Sequence, residues 1–175
     1  MNTSNSYEIA QLGAQVLRQM AISVPDVHDA DIQQLIKDMQ TALSASEGVG
    51  LAAPQIGVSK CIIIVASKPT RRYPCAPLME ATVMINPSFE ILSATTEKDW
   101  EGCLSIPGIR ALVPRYTHIM AHYTDIQGIG VTLPMEGFVA RVFQHEFDHL
   151  EGKVYLDKVE NNTDIISESE YFKLH

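Results

Sequence analysis

The run QHEFDHLEG at Gln144–Gly152 constrains this chain more than any other stretch. It contains a His-Glu-x-x-His pattern made of His145, Glu146 and His149. On a helix, imidazoles four residues apart stand on one face one turn apart and can share a metal ion, with Glu146 beside them as a base. Helicity is supported by the surrounding residues. Phe138, Val142, His145 and His149 form one stripe, Val139, Phe143, Phe147 and Leu150 cover the other faces, and Gly152 supplies a stop. A helix that is apolar on nearly every side belongs in the interior. Two buried histidines can be hydrogen-bonded core residues or metal ligands. A carboxylate between them makes burial costly unless a divalent cation compensates, which favours the metal reading and calls for a further ligand.

Only three cysteines are available, Cys61, Cys75 and Cys103. That number is too small and of the wrong parity for a disulfide framework, and it fits a reducing compartment in which one thiolate can serve as ligand. Cys75 lies in a proline-rich surface loop, Lys68–Pro77, and reads as incidental. Cys103 sits in Glu101-Gly102-Cys103-Leu104-Ser105, where the glycine lets the backbone aim the sulfur. The Leu104 N–H is a free donor there unless a strand partner takes it. Taken alone, Cys103 reads first as a buried thiol, and the need for a further metal ligand is what shifts that balance. The segment GVGLAAPQIG, Gly48–Gly57, has two readings as well. It is a tight loop into a strand, or a small-residue wall that approaches a ligand closely while Gln55 turns its amide to a carbonyl oxygen. No Lys-Ser/Thr follows, so it is not a phosphate loop. Val49, Leu104, Ile106, Phe138 and Val142 read either as a pocket for an unbranched side chain or as core, with Ile106 and Phe138 leaning to the core.

The fold class expected is α+β: short, mostly antiparallel sheets packed around the buried His-Glu-x-x-His helix of the C-terminal half, plus an amphipathic N-terminal helix. That second helix spans about 29–44, with Ile32, Leu35, Ile36, Met39 and Leu43 at helical spacing and Asp29 or Asp31 as cap. A short helix is expected within Ala10–Met20. Strands are expected at Cys61–Val65, Thr82–Ile85, Phe89–Leu92, Ile119–Tyr123 and Gly130–Leu133, joined by turns too short for helical crossovers. Ser105–Arg115 reads as a strand interrupted near Pro107-Gly108, and Lys153–Leu156 as a short strand or extended segment. With 175 residues, 1–175 is expected to be one catalytic domain, its end from about 157 a polar, mobile tail without a catalytic role. His28, His118, His122 and His175 lack a spaced partner and read as surface or hydrogen-bonded residues, and Asp148 as an ion-pair partner for Arg115.

A formal net charge of −8 argues against nucleic acid or an anionic membrane as a partner. No apolar run reaches membrane-spanning length, and MNTSNSYEIAQLG has the pattern of neither a secretory nor a transit signal. The cytoplasm is therefore the expected compartment.

Three elements, GVGLAAPQIG, EGCLS and QHEFDHLEG, stand in the order and wording of the peptide deformylases, and the chain resembles a bacterial-type member from about Ala45 to Leu156. The resemblance implies Cys103, His145 and His149 as metal ligands, Glu146 as general acid/base, and Gln55 with the Leu104 N–H as donors to the formyl oxygen. It implies Gly50 as backbone lining the substrate site, while Arg141 and Val142, with Val49, border a methionine pocket. The implied metal is Fe(II), replaceable by zinc, nickel or cobalt. The implied activity is removal of the formyl group from formylmethionyl nascent polypeptides with release of formate, with transient ribosome contact left open. Three protein ligands leave a tetrahedral cation one position for water, the pattern of a catalytic site. The competing readings are a zinc endopeptidase, against which the upstream cysteine ligand speaks, and a non-catalytic protein binding metal or formyl peptides, for which Glu146 and Gln55 would be superfluous.

Overall fold

A computed structural model describes residues 8–174; the first seven residues and His175 lie outside it, and with them the reading of that histidine and of the extreme N-terminus. The architecture is mixed, with a five-stranded antiparallel sheet, a separate three-stranded sheet and two principal helices. The large sheet runs β1 (Gly50–Ala52), β2 (Ile62–Ser67), β3 (Met79–Ile91), β6 (His118–Thr124) and β7 (Gly130–Glu136). The small one pairs β4 (Thr96–Cys103) with β5 (Ile106–Tyr116) and β5 with β8 (Ile165–Ser167).

Strand β2 shows why the apolar run Cys-Ile-Ile-Ile-Val is unbroken. Ile62 and Ile64 join a cluster with Leu35, Ile36 and Met39 of helix α1 (Ala30–Ser44), whereas Ile63 and Val65 join Ala140, Val142 and Phe143 of helix α2 (Gly137–Leu150). Successive side chains of a strand point to opposite faces, so a strand covered on both sides needs apolar residues at every position. Asp29 caps α1 by accepting from the N–H groups of Asp31 and Ile32, which supplies partners for orphan donors of the first turn. α2 carries His145, Glu146 and His149, all buried. It follows β7 without a loop and lies against β2 and β1.

Several expectations are corrected. The separate strands at 82–85 and 89–92 are one continuous β3, bent at Asn86, which takes φ 49, with a register shift between Ile85 and Ser88. The Asn86 side chain holds Val24 through both N–H and C=O, so the bend that looks like a turn in sequence is a docking point for the N-terminal segment. Ala10–Met20 contains only a 3-10 turn, Gln15–Arg18, and Lys153–Leu156 gives way to another, Tyr155–Lys158, in place of a strand. The segment from 157 onward is not a loose tail, because β8 pairs with Ile109–Ala111 and the final helical turn α3 (Glu168–Tyr171) buries Tyr171. Among the described residues no helix is long and apolar enough to cross a membrane.

Candidate metal centre and active site

Three distant segments meet at one end of α2. The end of β4 delivers Cys103, α2 delivers His145, Glu146 and His149, and the 3-10 turn Ala53–Ile56 after β1 delivers Gln55. One donor atom from each of Cys103, His145 and His149 lies within 4.8 Å of the others, with Cys103 Sγ 3.4 Å from His149 Nε2. One thiolate and two imidazoles in a buried cluster suit a borderline-soft divalent cation, and the spacing is that of ligands around one ion. Ring geometry agrees: the imidazoles of His145 and His149 are edge to face with centroids 5.3 Å apart.

His145 is oriented from behind. Its Nδ1 donates to Glu101 Oε2 at 2.8 Å, which leaves Nε2 with its lone pair toward the ligand cluster. Glu101 in turn accepts two bonds from Arg115, at 2.8 and 3.0 Å, and one from Arg141 at 3.0 Å, and Arg115 also pairs with Asp148 at 2.7 Å. The carboxyl of Glu101 would be raised by burial, but the Arg115 and His145 partners hold it far below the usual carboxylate range. Burial opposes a charged imidazole at His145, yet its hydrogen bonds to Cys103 and Glu101 push its pKa well above normal, whereas burial, with His145 and Arg115 nearby, pushes that of His149 well below.

Glu146 has a different environment. Its Oε2 is buried with no hydrogen-bond partner among the described residues, and burial pushes the carboxyl up to about 7, partly opposed by His145. A buried, unpartnered carboxylate oxygen next to a ligand cluster is an acceptor in want of a donor. Gly50 makes room for it: a Cβ there would stand 2.3 Å from Glu146 Oε1. No other residue type fits without displacing that carboxylate.

Gln55 is fixed by the backbone three residues before it. Its Oε1 accepts from the Ala52 N–H at 2.9 Å, so its amide nitrogen turns to Ser105 Oγ at 3.2 Å and Cys103 Sγ at 3.4 Å. Leu104 lies in the two-residue turn between β4 and β5, outside the ladder. Val49, Gly50, Gln55, Leu104, Arg141, Val142 and Glu146 all line one cavity with Cys103 and His145, while His149 is fully buried and does not line it. Arg141 contributes little charge to that cavity, since its guanidinium is committed to Glu101, Val113 O and Glu97 O. Phe138 is on the cavity wall, packed at 4.8 Å on Tyr73, whereas Ile106 is core with Val113 and Tyr155.

The sequence assigned no role to Glu101 or to the wall formed by Arg72, Tyr73 and Arg110. For Glu101 a signal existed, since it precedes Cys103 by two residues, the spacing that puts two strand side chains on one face. Gly102 between them has its own reason, because a Cβ there would approach Arg110 Cζ to 2.8 Å.

The polypeptide deformylase family model matches residues 6–164 of the chain. Peptide deformylase 2 of Nostoc sp. is 51% identical over 166 residues, covering 95% of this chain and 93% of that protein. Peptide deformylase 1 of Nitrosomonas europaea is 44% identical over 147 residues, covering 84% of each. Among solved structures, the Met-Ala-Ser-bound class I type b peptide deformylase of Acinetobacter baumannii superposes with a TM-score of 0.83 at 38% identity, over 86% of this chain and 96% of that one. The Synechococcus elongatus peptide deformylase in complex with actinonin gives 0.80 at 34% identity, over 93% and 84%.

Proposed function

This chain belongs to the polypeptide deformylase family, and from that membership we propose that it strips the formyl group from formylmethionyl nascent chains at the Cys103, His145 and His149 cluster. It is an enzyme of the peptide deformylase type acting on formylated nascent peptides, which sets aside the endopeptidase and binding-protein readings.

The ligands are Cys103 Sγ, His145 Nε2 and His149 Nε2, and by resemblance the cation in the cell is Fe(II), with zinc, nickel or cobalt able to replace it. When bound, the cation supplies Lewis acidity that acidifies water and polarises a carbonyl oxygen. The residues do the rest. Glu146 takes the proton of the attacking water and returns it to the departing amine, so that a formamide and water become formate and a free N-terminus. The Gln55 amide and the Leu104 N–H donate to the oxygen on which negative charge develops. Gly50 and Val49 offer one wall to the peptide, and Val142 with the aliphatic stem of Arg141 borders the methionine side chain.

The observation that carries this reading is the unpartnered buried Oε2 of Glu146 beside three metal-binding atoms. A structural metal site would need no such base and would have a fourth protein ligand. The experiment is formate release from formyl-Met-Ala-Ser by protein prepared without oxygen and loaded with Fe(II) or Ni(II), with Glu146→Ala as control. Turnover by the wild type and near-complete loss in a variant that still binds metal are expected. A folded, loaded wild type that releases no formate would refute the proposal.

A further inference from the structure

Resting on the reading above, we propose that Glu168, in the C-terminal strap formed by β8 and α3, is a positioning residue that holds the outer wall of the peptide-binding cavity in place. Its Oε1 accepts from two arginines of that wall at once, Arg72 Nε at 2.9 Å and Arg110 Nη2 at 3.0 Å. These arginines come from unrelated parts of the chain. Arg110 is on β5 and almost fully buried, whereas Arg72 is in the segment between β2 and β3, which has no regular secondary structure. One carboxylate therefore pins a loop to a sheet.

The clamp reaches the cavity through Tyr73. Arg110 Nη1 donates to Tyr73 OH at 2.9 Å, and the Tyr73 ring packs on Phe138, so both aromatic walls depend on where the loop is held. Tyr171 of the same strap donates its hydroxyl to Arg72 O at 2.8 Å, and its ring centroid lies 5.1 Å from Arg110 Cζ, which is also 5.4 Å from the Tyr73 ring centroid. Guanidinium, carboxylate and two rings make a closed unit of charge-assisted and cation–π contacts. Among the described residues no hydrogen bond joins Arg72, Tyr73, Arg110 or Glu168 to a metal-binding atom or to Glu146. The strap should therefore set how well a peptide is held and leave the bond-breaking step alone, the pattern of a residue contributing equally to ground and transition states.

The test is Glu168→Gln and Tyr171→Phe, each measured with formyl-Met-Ala-Ser. Trp100, the chain's one tryptophan, packs on Tyr171 at 5.8 Å, so its fluorescence reports whether the strap remains docked. For Glu168→Gln we expect KM to rise about tenfold, the effect of losing a hydrogen bond to a charged group, with kcat within about twofold, metal content unchanged and Trp100 emission shifted. Tyr171→Phe should shift KM in the same direction and by less, and Glu168→Asp should recover part of the loss. An unchanged KM in Glu168→Gln, or a fall in kcat accompanied by loss of metal, would overturn the proposal. Absence of turnover by the wild type in the same assay would instead refute the deformylase reading, and this inference with it.

Discussion

Replacing Glu101 by alanine should cost both folding stability and metal affinity, because one carboxylate serves both. Its carboxylate, 3% exposed, is the common acceptor for Arg115, Arg141 and His145. Removing it leaves the Arg115 and Arg141 guanidiniums buried with one neighbouring counter-charge, Asp148, which pairs with Arg115 but not with Arg141 and is shared with Lys158 at 3.7 Å. Breaking a buried ion pair from one side costs about 3–5 kcal/mol. For a chain of this length each kcal/mol moves Tm by about 2–4 °C, so the midpoint should fall by roughly 6–20 °C. His145 also loses the acceptor that fixes its tautomer, and outer-shell losses of this kind weaken metal binding about 10- to 100-fold. Linkage gives the sign of the pH effect. A carboxyl with a depressed folded pKa contributes stability fully present above its unfolded value, about 4.3 for Glu, and lost as pH falls toward the folded value. The wild type should therefore lose stability steeply below about pH 4, and the variant should lack that component of the slope. The assays are thermal unfolding from pH 3 to 8 and metal competition with a chelator, with Glu101→Gln as the isosteric comparison. A variant within about 1 kcal/mol of the wild type at pH 7, with undiminished metal affinity, would refute the claim that the Glu101 network supports the centre.

Gly50→Ala should fold and retain metal but lose formate release by about 100-fold, because its Cβ would displace Glu146 from 2.3 Å away and a misplaced catalytic group is that costly; activity near wild type would show that the carboxylate need not occupy this position. The acid limb of the rate profile should report Glu146, whose ionised form is the base. Burial pushes its pKa up to about 7, and a bound cation can only pull it down, so the limb should fall at or below that pH and vanish in Glu146→Ala; a limb centred clearly above pH 7 would contradict the assignment.

Much of the candidate site was legible because its signals are local. The four-residue spacing of His145 and His149, the stripe through Phe138 and Val142, and the Asp29 cap each depend on residues within a turn or two of one another. β1 read as loop, but strands β2, β6 and β7 were legible, each within a few residues of its observed bounds. Strand β4 was not, since Thr96–Asp99 is polar and exposed and reads as loop until β5 lies beside it. The tail misled for the same reason: a charged stretch with little apolar content looks solvated, yet Glu168 finds two arginines that are distant in sequence.

The residue types and their spacing along α2 determined that this chain could present two imidazoles and a carboxylate on one buried helix, and the three motifs determined the family. Only the tertiary structure decided that Glu101 stands behind His145, that Gly50 is bare because Glu146 fills the space of its side chain, and that the C-terminus braces the cavity wall. Helical spacing is a property of neighbouring residues and can be read along the chain. A buried charge or a missing Cβ is answered by groups up to a hundred positions away, and their match exists only once the sheets and α2 have packed.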